Sequence, residues 1–554
     1  MKRILYLSIC LLGCVIFSCT DNFESINTNP NGIEQENVKL SSRFHQPMVS
    51  IYCNYQNMNY EYQLQQNLNG DLWSGYLALP SPLGTYNNSN YSMNDGWNEN
   101  AFRIGMLYVM KPISVILEST EELDYVSTAK ILRVAALHRV SDIYGPLPYS
   151  KAMQGGDSVP YDDQETLYKT FLQELEESVN DLTTFIDTHP AAQSNRMAEF
   201  DVINNGDNIL WLRFANSLRL RLAMRIVKVD PALAKATAEA AVNHKYGVLT
   251  SIDKNIEVVD PNLQNPLNEI AYAYNDIRMD ASMICMLRGY NDPRLPKYAT
   301  PVGWYQSGGS SVDIHDANGN MTGSIGEYIG IRQGLIIADG THYVMYSNIN
   351  MPTTSRYTDQ NGGQNQITNA LPIMKVAEVY FLRAEGALRG WNMGGSAQQL
   401  YEEGIKVSFD DYGISNQEYM DYINNDTGVS ADYIDPYDPT NNIAGIDKAT
   451  VKWNESLSQE EKLHKIINQK WLAMFPEGQE AWSEFRRTGY PKLFPAVNNF
   501  SNGDIPEGEF PKRLRFPRND RNSNTAEVEK ARSMLKGDDH EGTRLWWDVE
   551  GGNF

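Results

Sequence analysis

The segment VAEVYFLRAEGALRG, residues 376–390, decides the fold class. Its apolar residues recur every three or four positions, which is the spacing of one face of an α-helix. Large aromatic residues alternate with Ala and Gly along that face, so the small residues of one helix leave room for the large residues of a neighbour. Gly390 then ends the pattern, as glycine commonly does after a helix. The segment therefore predicts a helix that packs closely against another helix.

Several other segments combine helical spacing with signals for the start of a helix. These are 165–186 after acidic residues, 207–228 after Gly206-Asp207, a helix begun by Asp230-Pro231, a stripe over 371–389, and helices begun by the capping boxes Ser396–Gln399 and Ser458–Glu461. Helix pairs joined by short turns are typical of tetratricopeptide-type repeats. We therefore predict a mostly α fold, a tetratricopeptide-like helix-pair solenoid platform.

Three stretches break the helical pattern. They are rich in Gly, Asn, Ser and Tyr, and DANGN at 316–320 contains the Asn-Gly pair of a tight hairpin turn. We predict loop-rich, ligand-facing insertions with short strands at about 70–97, 251–370 and 415–450, between helical repeats at about 100–250 and 371–490. The sequence thus predicts a helical platform that carries long insertions.

The N-terminus predicts a secretion signal that ends at a lipidated cysteine. A basic start precedes an apolar run over residues 4–17, which is too short to span a membrane, and no second apolar stretch follows. IFSC at 16–19 is similar to the lipobox of bacterial lipoproteins. We expect removal of residues 1–18 and several acyl chains on Cys19, enough for stable anchoring. The alternative is an ordinary signal peptide with a chance cysteine.

Composition limits the partners of the exported chain. Removing residues 1–18 takes away two basic residues and no acidic ones, which leaves 45 basic against 69 acidic residues and a net charge of −24. So acidic a chain argues against nucleic acid as a partner. Of the five cysteines, only Cys53 and Cys285 remain unmodified after processing. They form either one disulfide or, as we expect, two buried thiols.

Six segments resemble the SusD/RagB family of surface nutrient-binding lipoproteins and occur in that family's order. They are HRVSDIYGPLPYS (138–150), LWLRFANSLRLRLAMRI (210–226), RGYNDPRLPKY (288–298), LPIMKVAEVYFLRAEGAL (371–388), INQKWLAMFPEGQEAWSEFRRTGYP (467–491) and RLWWD (544–548). INTNPNG at 26–32 is similar to the SusD-like 2 branch in particular. The resemblance covers essentially the whole mature chain.

The resemblance implies a single SusD-like domain over residues 19–554. It implies a mostly helical, tetratricopeptide-containing lipoprotein, anchored by lipid at the outer-membrane surface of the cell. Such a protein caps a TonB-dependent transporter of the SusC type and delivers oligosaccharides or, in some members, oligopeptides to it. The family's binding residues vary too much to be transferred to positions of this chain.

Two of these segments are rich in arginine, and we interpret both as structural. RFANSLRLRLAMRI (213–226) interleaves four arginines with an apolar stripe, and EAWSEFRRTGYP (480–491) places two beside core aromatic residues. An anion site is the alternative. In so acidic a chain, arginines that pair with carboxylates or cap helix ends are the simpler explanation.

A solvent-facing sugar site needs flat aromatic faces for the C–H surface of a pyranose, together with amide or acid groups that match its hydroxyls. Loops with this composition supply the candidates. They are Trp73, Tyr76, Tyr86, Asn88, Tyr91 and Asn94 within 70–97, Tyr274 and Arg278 in YAYNDIRMD (272–280), and Trp304 and Tyr305 in VGWYQSGGSS (302–311). In the alternative interpretation Trp73, Tyr76 and Trp97 are buried where the loop meets the helices.

The sequence contains none of the common catalytic motifs. There is no His-Glu-x-x-His, Gly-x-Ser-x-Gly, phosphate-binding glycine loop or Cys-x-x-Cys. GDDHEG at 537–542 predicts a solvated acidic loop rather than a metal site, and we expect no cofactor. Three functions stay open: a glycan-binding lipoprotein, an oligopeptide-binding lipoprotein of the same architecture, and a helical glycoside hydrolase with paired carboxylates. Loops that combine aromatic residues with asparagine favour the first function over the second. The family resemblance argues against the third, so we expect no enzyme.

Overall fold

A computed structural model describes most of the exported chain. It covers residues 38–52, 59–156, 158–190, 196–251, 253–303, 327–351 and 370–554, with the backbone of 314–315 and 321–323. The signal segment, the lipobox, Cys53 and the DANGN turn lie outside these residues. Helices dominate the described chain and the strands are short, which confirms the prediction of a mostly α fold.

The helices are numbered in chain order. They are α1 (His45–Ser50), α2 (Asn59–Tyr62), α3 (Asn100–Ile104), α4 (Lys111–Ser119), α5 (Leu123–Tyr144), α6 (Gln164–Thr188), α7 (Asn208–Arg225), α8 (Pro231–Val242), α9 (Pro266–Asn268), α10 (Ala281–Gly289), α11 (Leu295–Tyr298), α12 (Val376–Leu388), α13 (Ala397–Asp410), α14 (Asn416–Ile423), α15 (Gln459–Met474), α16 (Gly478–Thr488), α17 (Arg518–Ser523) and α18 (Thr525–Arg532). π-Helical turns extend three of them, at Gln63–Asp71, Gly105–Met110 and Glu269–Ala273.

The strands form three antiparallel pairs, each of two strands. They are β1 (Leu77–Ala78) with β3 (Arg278–Met279), β2 (Ile256–Val258) with β6 (Leu371–Met374), and β4 (Ile314–His315) with β5 (Met321–Gly323). The β4–β5 pair flanks the predicted hairpin turn. The β1–β3 pair joins the first predicted insertion to the second, which brings distant loops to one place.

The helical platform is built from sequential helix pairs. Helix α5 packs on α6, α6 on α7 and α7 on α8, while α12 packs on α13, α15 and α7. Small residues receive large ones at these contacts, as predicted. A Cβ on Gly404 of α13 would lie 2.8 Å from the ring of Phe381 in α12, and a Cβ on Gly386 would lie 3.1 Å from Met224 of α7.

The predicted helix starts are confirmed by their caps. Asp207 accepts a hydrogen bond from the backbone of Leu210 at the start of α7, and Asp230 does the same for Leu233 in α8. Both predicted capping boxes form, at Ser396 and Ser458. Each cap satisfies backbone N–H groups that a helix start otherwise leaves without partners.

Two predicted boundaries are wrong. The stripe over 371–389 was expected to be helical throughout, but residues Leu371–Met374 form β6 and the helix begins at Val376. The insertion at 415–450 was expected to be loop, but Ser415 and Glu418 form a capping box that starts α14. In the first case β2 competes for the backbone, and in the second a short helix has too few apolar positions to show clear periodicity.

The expectation that no second apolar stretch follows the signal segment also needs correction. In the described chain the helical run Asn100–Ser119 has the length and mean hydropathy, 1.2, of a membrane-spanning helix. More than half of that window, 56%, is buried inside the protein, as in a core helix. The π-helical turn within it packs against α1 and α5.

Cys285 is a buried free thiol, and burial raises its pKa to about 12.

A buried charge cluster ties the helices together. Its members are Arg221 and Arg225 of α7, Lys470 of α15, Arg487 of α16, and the carboxylates Asp142, Glu378, Glu385, Glu480 and Glu484 from α5, α12 and α16. All are almost fully buried. Arg221 binds Glu378 through two bonds of 2.8 and 2.6 Å. The arginine-rich segments are therefore structural here, as interpreted from the sequence.

Candidate ligand-binding site

Four loop segments meet on one side of the molecule. They are 80–98, 331–346, 433–443 and 494–505, which we call the loop face. Arg332 links three of them, because its guanidinium donates to the carbonyls of Asn441 at 2.9 Å and Pro495 at 3.1 Å. The backbone of Ile337 donates to the carbonyl of Pro80 at 2.8 Å. The predicted insertions thus come together in space.

A cavity of about 370 Å³ opens in the loop face. Segment 86–98 forms one wall, and residues 500–505 with Arg515 and Glu541 form the other. We call it the Tyr86–Phe500 cavity. Its volume lies within the range of small-molecule sites in proteins. It also combines aromatic, amide and charged side chains, as expected of a site for a polar ligand.

Two aromatic rings stand at this cavity. Phe500 is 51% exposed and Tyr86 is 37% exposed, which is unusual for side chains so large. Trp97 holds the Tyr86 ring in an edge contact, with ring centroids 5.6 Å apart and the planes at 66°. Both rings therefore offer apolar faces, and Trp97 supports that of Tyr86.

Local hydrogen bonds shape the wall that carries Tyr86. The side chain of Asn87 caps the short 3₁₀-helix Asn88–Asn90 by accepting from the backbone of Ser89 at 2.9 Å. The backbone of Phe500 donates to the carbonyl of Asn90 at 2.8 Å, which joins the two walls. Tyr91 follows with φ +66°, a left-handed conformation that few non-glycine residues adopt. Tyr91 lines the cavity from this turn, and burial raises the pKa of its phenol.

The opposite wall carries an ion-pair cluster. Arg515 donates to Glu541 Oε2 at 3.0 Å and also binds Asp504. Burial alone would lower the pKa of Arg515, but these two carboxylates raise it. Gly542 permits the close approach, because a Cβ there would lie 2.0 Å from the Asp504 carbonyl oxygen. Two carboxylates share one arginine, so this wall is acidic and its charges are held in place.

This arrangement suits binding better than catalysis. Asp504 and Glu541 both bind Arg515, so neither is a free carboxyl group placed to flank a glycosidic bond. Among the described residues, no group of three or more His, Cys, Asp or Glu could hold a metal ion. Exposed rings with hydrogen-bonding groups between them match the two surfaces of a sugar.

The structure brings two of the predicted site residues into this cavity, Tyr86 and Tyr91. Asn94 lies beside it, half-buried, and its Oδ1 accepts from the backbone of Gly96 at 2.9 Å and Trp97 at 3.2 Å. Asn94 therefore holds the turn that supports Trp97, so its carbonyl oxygen already has backbone partners.

Three predicted residues of the first insertion are buried, which corrects their assignment to an open groove. Trp73 packs edge-on against Trp482 with centroids 5.0 Å apart. Tyr76 packs on Trp471 and Phe475 and donates its hydroxyl to the Trp471 carbonyl. Asn88 donates to the carbonyl of Leu68 at 2.7 Å. All three anchor the loop to the helices, which for Trp73 and Tyr76 is the alternative that the sequence left open.

Two of the other candidates, Arg278 and Tyr274, lie elsewhere. Arg278 is 1% exposed, which corrects its assignment, and its guanidinium lies 5.3 Å from the ring of Tyr343. Tyr274 is 40% exposed but does not line the Tyr86–Phe500 cavity. Trp304 and Tyr305 lie outside the described residues, so their place on the site stays a prediction.

The sequence interpretation missed the second wall of the cavity. Phe500, Asp504, Arg515 and Glu541 were not among the candidates. A signal was present, because NNFSNGD at 498–504 has the same mixture of asparagine, glycine and an aromatic residue as the 70–97 loop. Arg515 and Glu541 carry no such signal, since they meet only through the fold.

Comparisons with known proteins agree with this architecture. The model of a family described as "Susd and RagB outer membrane lipoprotein" matches residues 22–548. A chitin-binding SusD homolog from Flavobacterium johnsoniae is 39% identical, with a TM-score of 0.83 over 93% of this chain and 100% of its own. A SusD homolog from Bacteroides vulgatus is 33% identical, with a TM-score of 0.81 over 93% and 98%. A search of curated proteins finds no match.

Proposed function

Because this chain belongs to the SusD and RagB family of nutrient-binding outer membrane lipoproteins, we propose that it captures oligosaccharides in the Tyr86–Phe500 cavity at the cell surface. The observation that carries the proposal is the pair of exposed rings, Tyr86 and Phe500, on opposite walls of a polar cavity. The mature chain, residues 19–554, acts as one lipid-anchored domain. It has no enzymatic activity and passes its ligand to a SusC-type TonB-dependent transporter.

The charge of the cavity supports a neutral glycan. The acidic wall at Arg515 and the net charge of −24 repel uronic acids and sulfated sugars. A relative of this chain binds chitin, so neutral chitin oligosaccharides are the first ligands to test. The cavity is open and each ring contributes on the order of 1 kcal/mol, which predicts micromolar to millimolar dissociation constants.

Purification from the native membrane tests the proposal. The protein is extracted in mild detergent, and mass spectrometry then identifies the molecules and proteins that accompany it. We expect oligosaccharide masses and a TonB-dependent transporter, in an interface that buries well over about 1,000 Å². A ladder of peptides would instead favour the oligopeptide function. A lone monomer from cells that contain the transporter would contradict the partnership.

Anchoring gives a separate prediction. Cys19→Ala should move the protein from the membrane fraction to the soluble fraction, because it removes the residue that carries the acyl chains. The measurement is fractionation together with labelling by a fatty-acid analogue. Cys10→Ala is the matched control within the signal segment and should change neither result. A Cys19→Ala protein that stays in the membrane fraction and takes up the label would disprove the lipobox.

A further inference from the structure

A second cavity opens in the loop face, away from the residues that line the first. It has a volume of about 210 Å³ and lies where segment 335–346 meets segment 435–441. Both belong to insertions that the sequence marks as ligand-facing, yet neither contributes to the Tyr86–Phe500 cavity. We call it the His342–Tyr437 cavity. Its size suits one ring of a ligand rather than a whole chain.

Two rings in tilted contact form one side of this cavity. The rings of His342 and Tyr437 lie with centroids 4.3 Å apart and planes at 38°, and both side chains are half-buried. Leu335 and Ile337 supply an apolar lining, and Ile336 beside them is 40% exposed. Exposure of such an apolar surface to water is unfavourable, and a bound ligand ring would remove part of it from water.

The loop that carries Tyr437 is held firmly. Asp435 is buried and its carboxylate accepts from the hydroxyl of Tyr433 at 3.0 Å and from the backbone of Tyr437 and Asp438 at 2.9 Å each. The side-chain amide of Asn441 and the hydroxyl of Tyr346 also donate to this carboxylate, each at 3.3 Å. These hydrogen bonds keep Tyr437 in position, so ligand binding costs little further conformational entropy in this loop.

Two carboxylates at the cavity have acceptor capacity left. Asp339 and Asp438 each receive two hydrogen bonds from a threonine two residues on, Thr341 and Thr440, and in both cases all bonds go to Oδ1. In the described part of the chain, no hydrogen bond reaches the Oδ2 atom of either residue. A carboxylate accepts and never donates when charged, so these oxygens suit ligand hydroxyl groups and repel ligand anions.

A short path along the backbone connects the two cavities. The backbone of Val497 donates to the carbonyl of Gln333 at 2.8 Å. Phe500 lies three residues beyond Val497, and Leu335 lies two residues beyond Gln333. Fully extended segments of these lengths, joined across one backbone hydrogen bond, span roughly 23 Å at most. One oligosaccharide of several units is long enough to reach both cavities.

We propose that the His342–Tyr437 cavity is a second carbohydrate subsite, which binds one neutral sugar ring of the oligosaccharide held in the Tyr86–Phe500 cavity. The inference rests on the proposed function of the first cavity. The sugar ring stacks on Tyr437, and its hydroxyls donate to Asp339 and Asp438. Linking two weak subsites through one ligand raises affinity with chain length, because the second contact forms intramolecularly.

Calorimetry of the chain from residue 20, which lacks the lipidated Cys19, with chitin disaccharide and chitin hexasaccharide tests the subsite. The wild-type protein should bind the hexasaccharide at least tenfold more tightly than the disaccharide. Tyr437→Ala should weaken hexasaccharide binding about fivefold to tenfold and leave disaccharide binding within twofold. Asp438→Asn, which keeps the shape of the loop, should weaken the hexasaccharide in the same selective way.

The outcomes separate the subsite from the proposed function. If the wild-type protein binds both sugars and the two variants bind both equally well, the subsite is disproved while the first cavity stands. If the variants weaken both sugars alike, Tyr437 belongs to a single shared site and the inference is wrong. If the wild-type protein binds neither sugar, the proposed function fails and the subsite with it. Melting temperatures close to wild type establish that the variants are folded.

Discussion

Arg225→Met should lower the free energy of unfolding by about 3–5 kcal/mol, because it removes one partner from a buried ion-pair network and leaves Asp142 and Glu480 buried with less positive charge beside them. Arg225 binds Asp142 at 2.7 Å and Glu480 at 2.5 Å, and its guanidinium lies 5.0 Å from the ring of Trp547. These contacts join three helices and the C-terminal segment. Urea unfolding followed by circular dichroism measures the change.

Lys169→Met is the matched control for Arg225→Met. Lys169 also forms an ion pair, with Glu165 at 2.6 Å, but both side chains are about half exposed. Exposed pairs contribute little, so this variant should unfold at nearly the same urea concentration as wild type. Equal effects of the two substitutions would contradict the structural role of the buried cluster.

Acid should weaken the same cluster. Burial alone would raise the pKa of Glu480, but Arg225, Arg221 and Lys470 lower it to about 2. An unfolded glutamate titrates near 4.5. The folded state therefore gains stability from Glu480 at any pH above 4.5 and loses that gain as the pH falls toward 2. This loss of stability on acidification should be smaller in the Arg225→Met protein.

The double variant Tyr86→Ala with Phe500→Ala should bind chitin hexasaccharide about 30-fold more weakly than wild type. Each stacking face contributes on the order of 1 kcal/mol, and two faces together give this factor. Both side chains are exposed enough that the melting temperature should change little, since exposed residues contribute little to the core. Calorimetric titration of the mature chain measures the affinity.

Tyr274→Ala is the matched control for binding. Tyr274 is a tyrosine of similar exposure, 40%, that does not line the Tyr86–Phe500 cavity. It should bind the hexasaccharide as the wild-type protein does. Weaker binding in Tyr274→Ala, with unchanged binding in the double variant, would move the site to the segment around Tyr274.

The helical platform was predictable because its determinants are local. The pairing of Phe381 with Gly404 follows from alternating large and small residues, and the caps at Ser396 and Ser458 depend on residues three positions apart. The strand at 371–374 was not predictable in this way. Its partner, Ile256–Val258, is more than a hundred residues distant, and its apolar residues fit a helix equally well.

The binding site was only partly predictable. Composition pointed to the 70–97 loop, but composition does not say which aromatic residue faces solvent. Trp73 and Tyr86 lie in the same loop, and contacts with Trp482 bury the first while Trp97 supports the second at the surface. Arg515 and Glu541 meet only after folding, so no local pattern marks them.

The proposed function is tested most directly by a calorimetric titration of the chain from residue 20, which lacks the lipidated Cys19, with three kinds of ligand. These are neutral chitin hexasaccharide, an acidic oligogalacturonate of similar length, and a mixture of peptides. We predict binding of the neutral oligosaccharide with a dissociation constant in the micromolar to millimolar range, and no measurable heat with the acidic one. Binding confined to the peptides, or a preference for the acidic sugar, would contradict the proposed function.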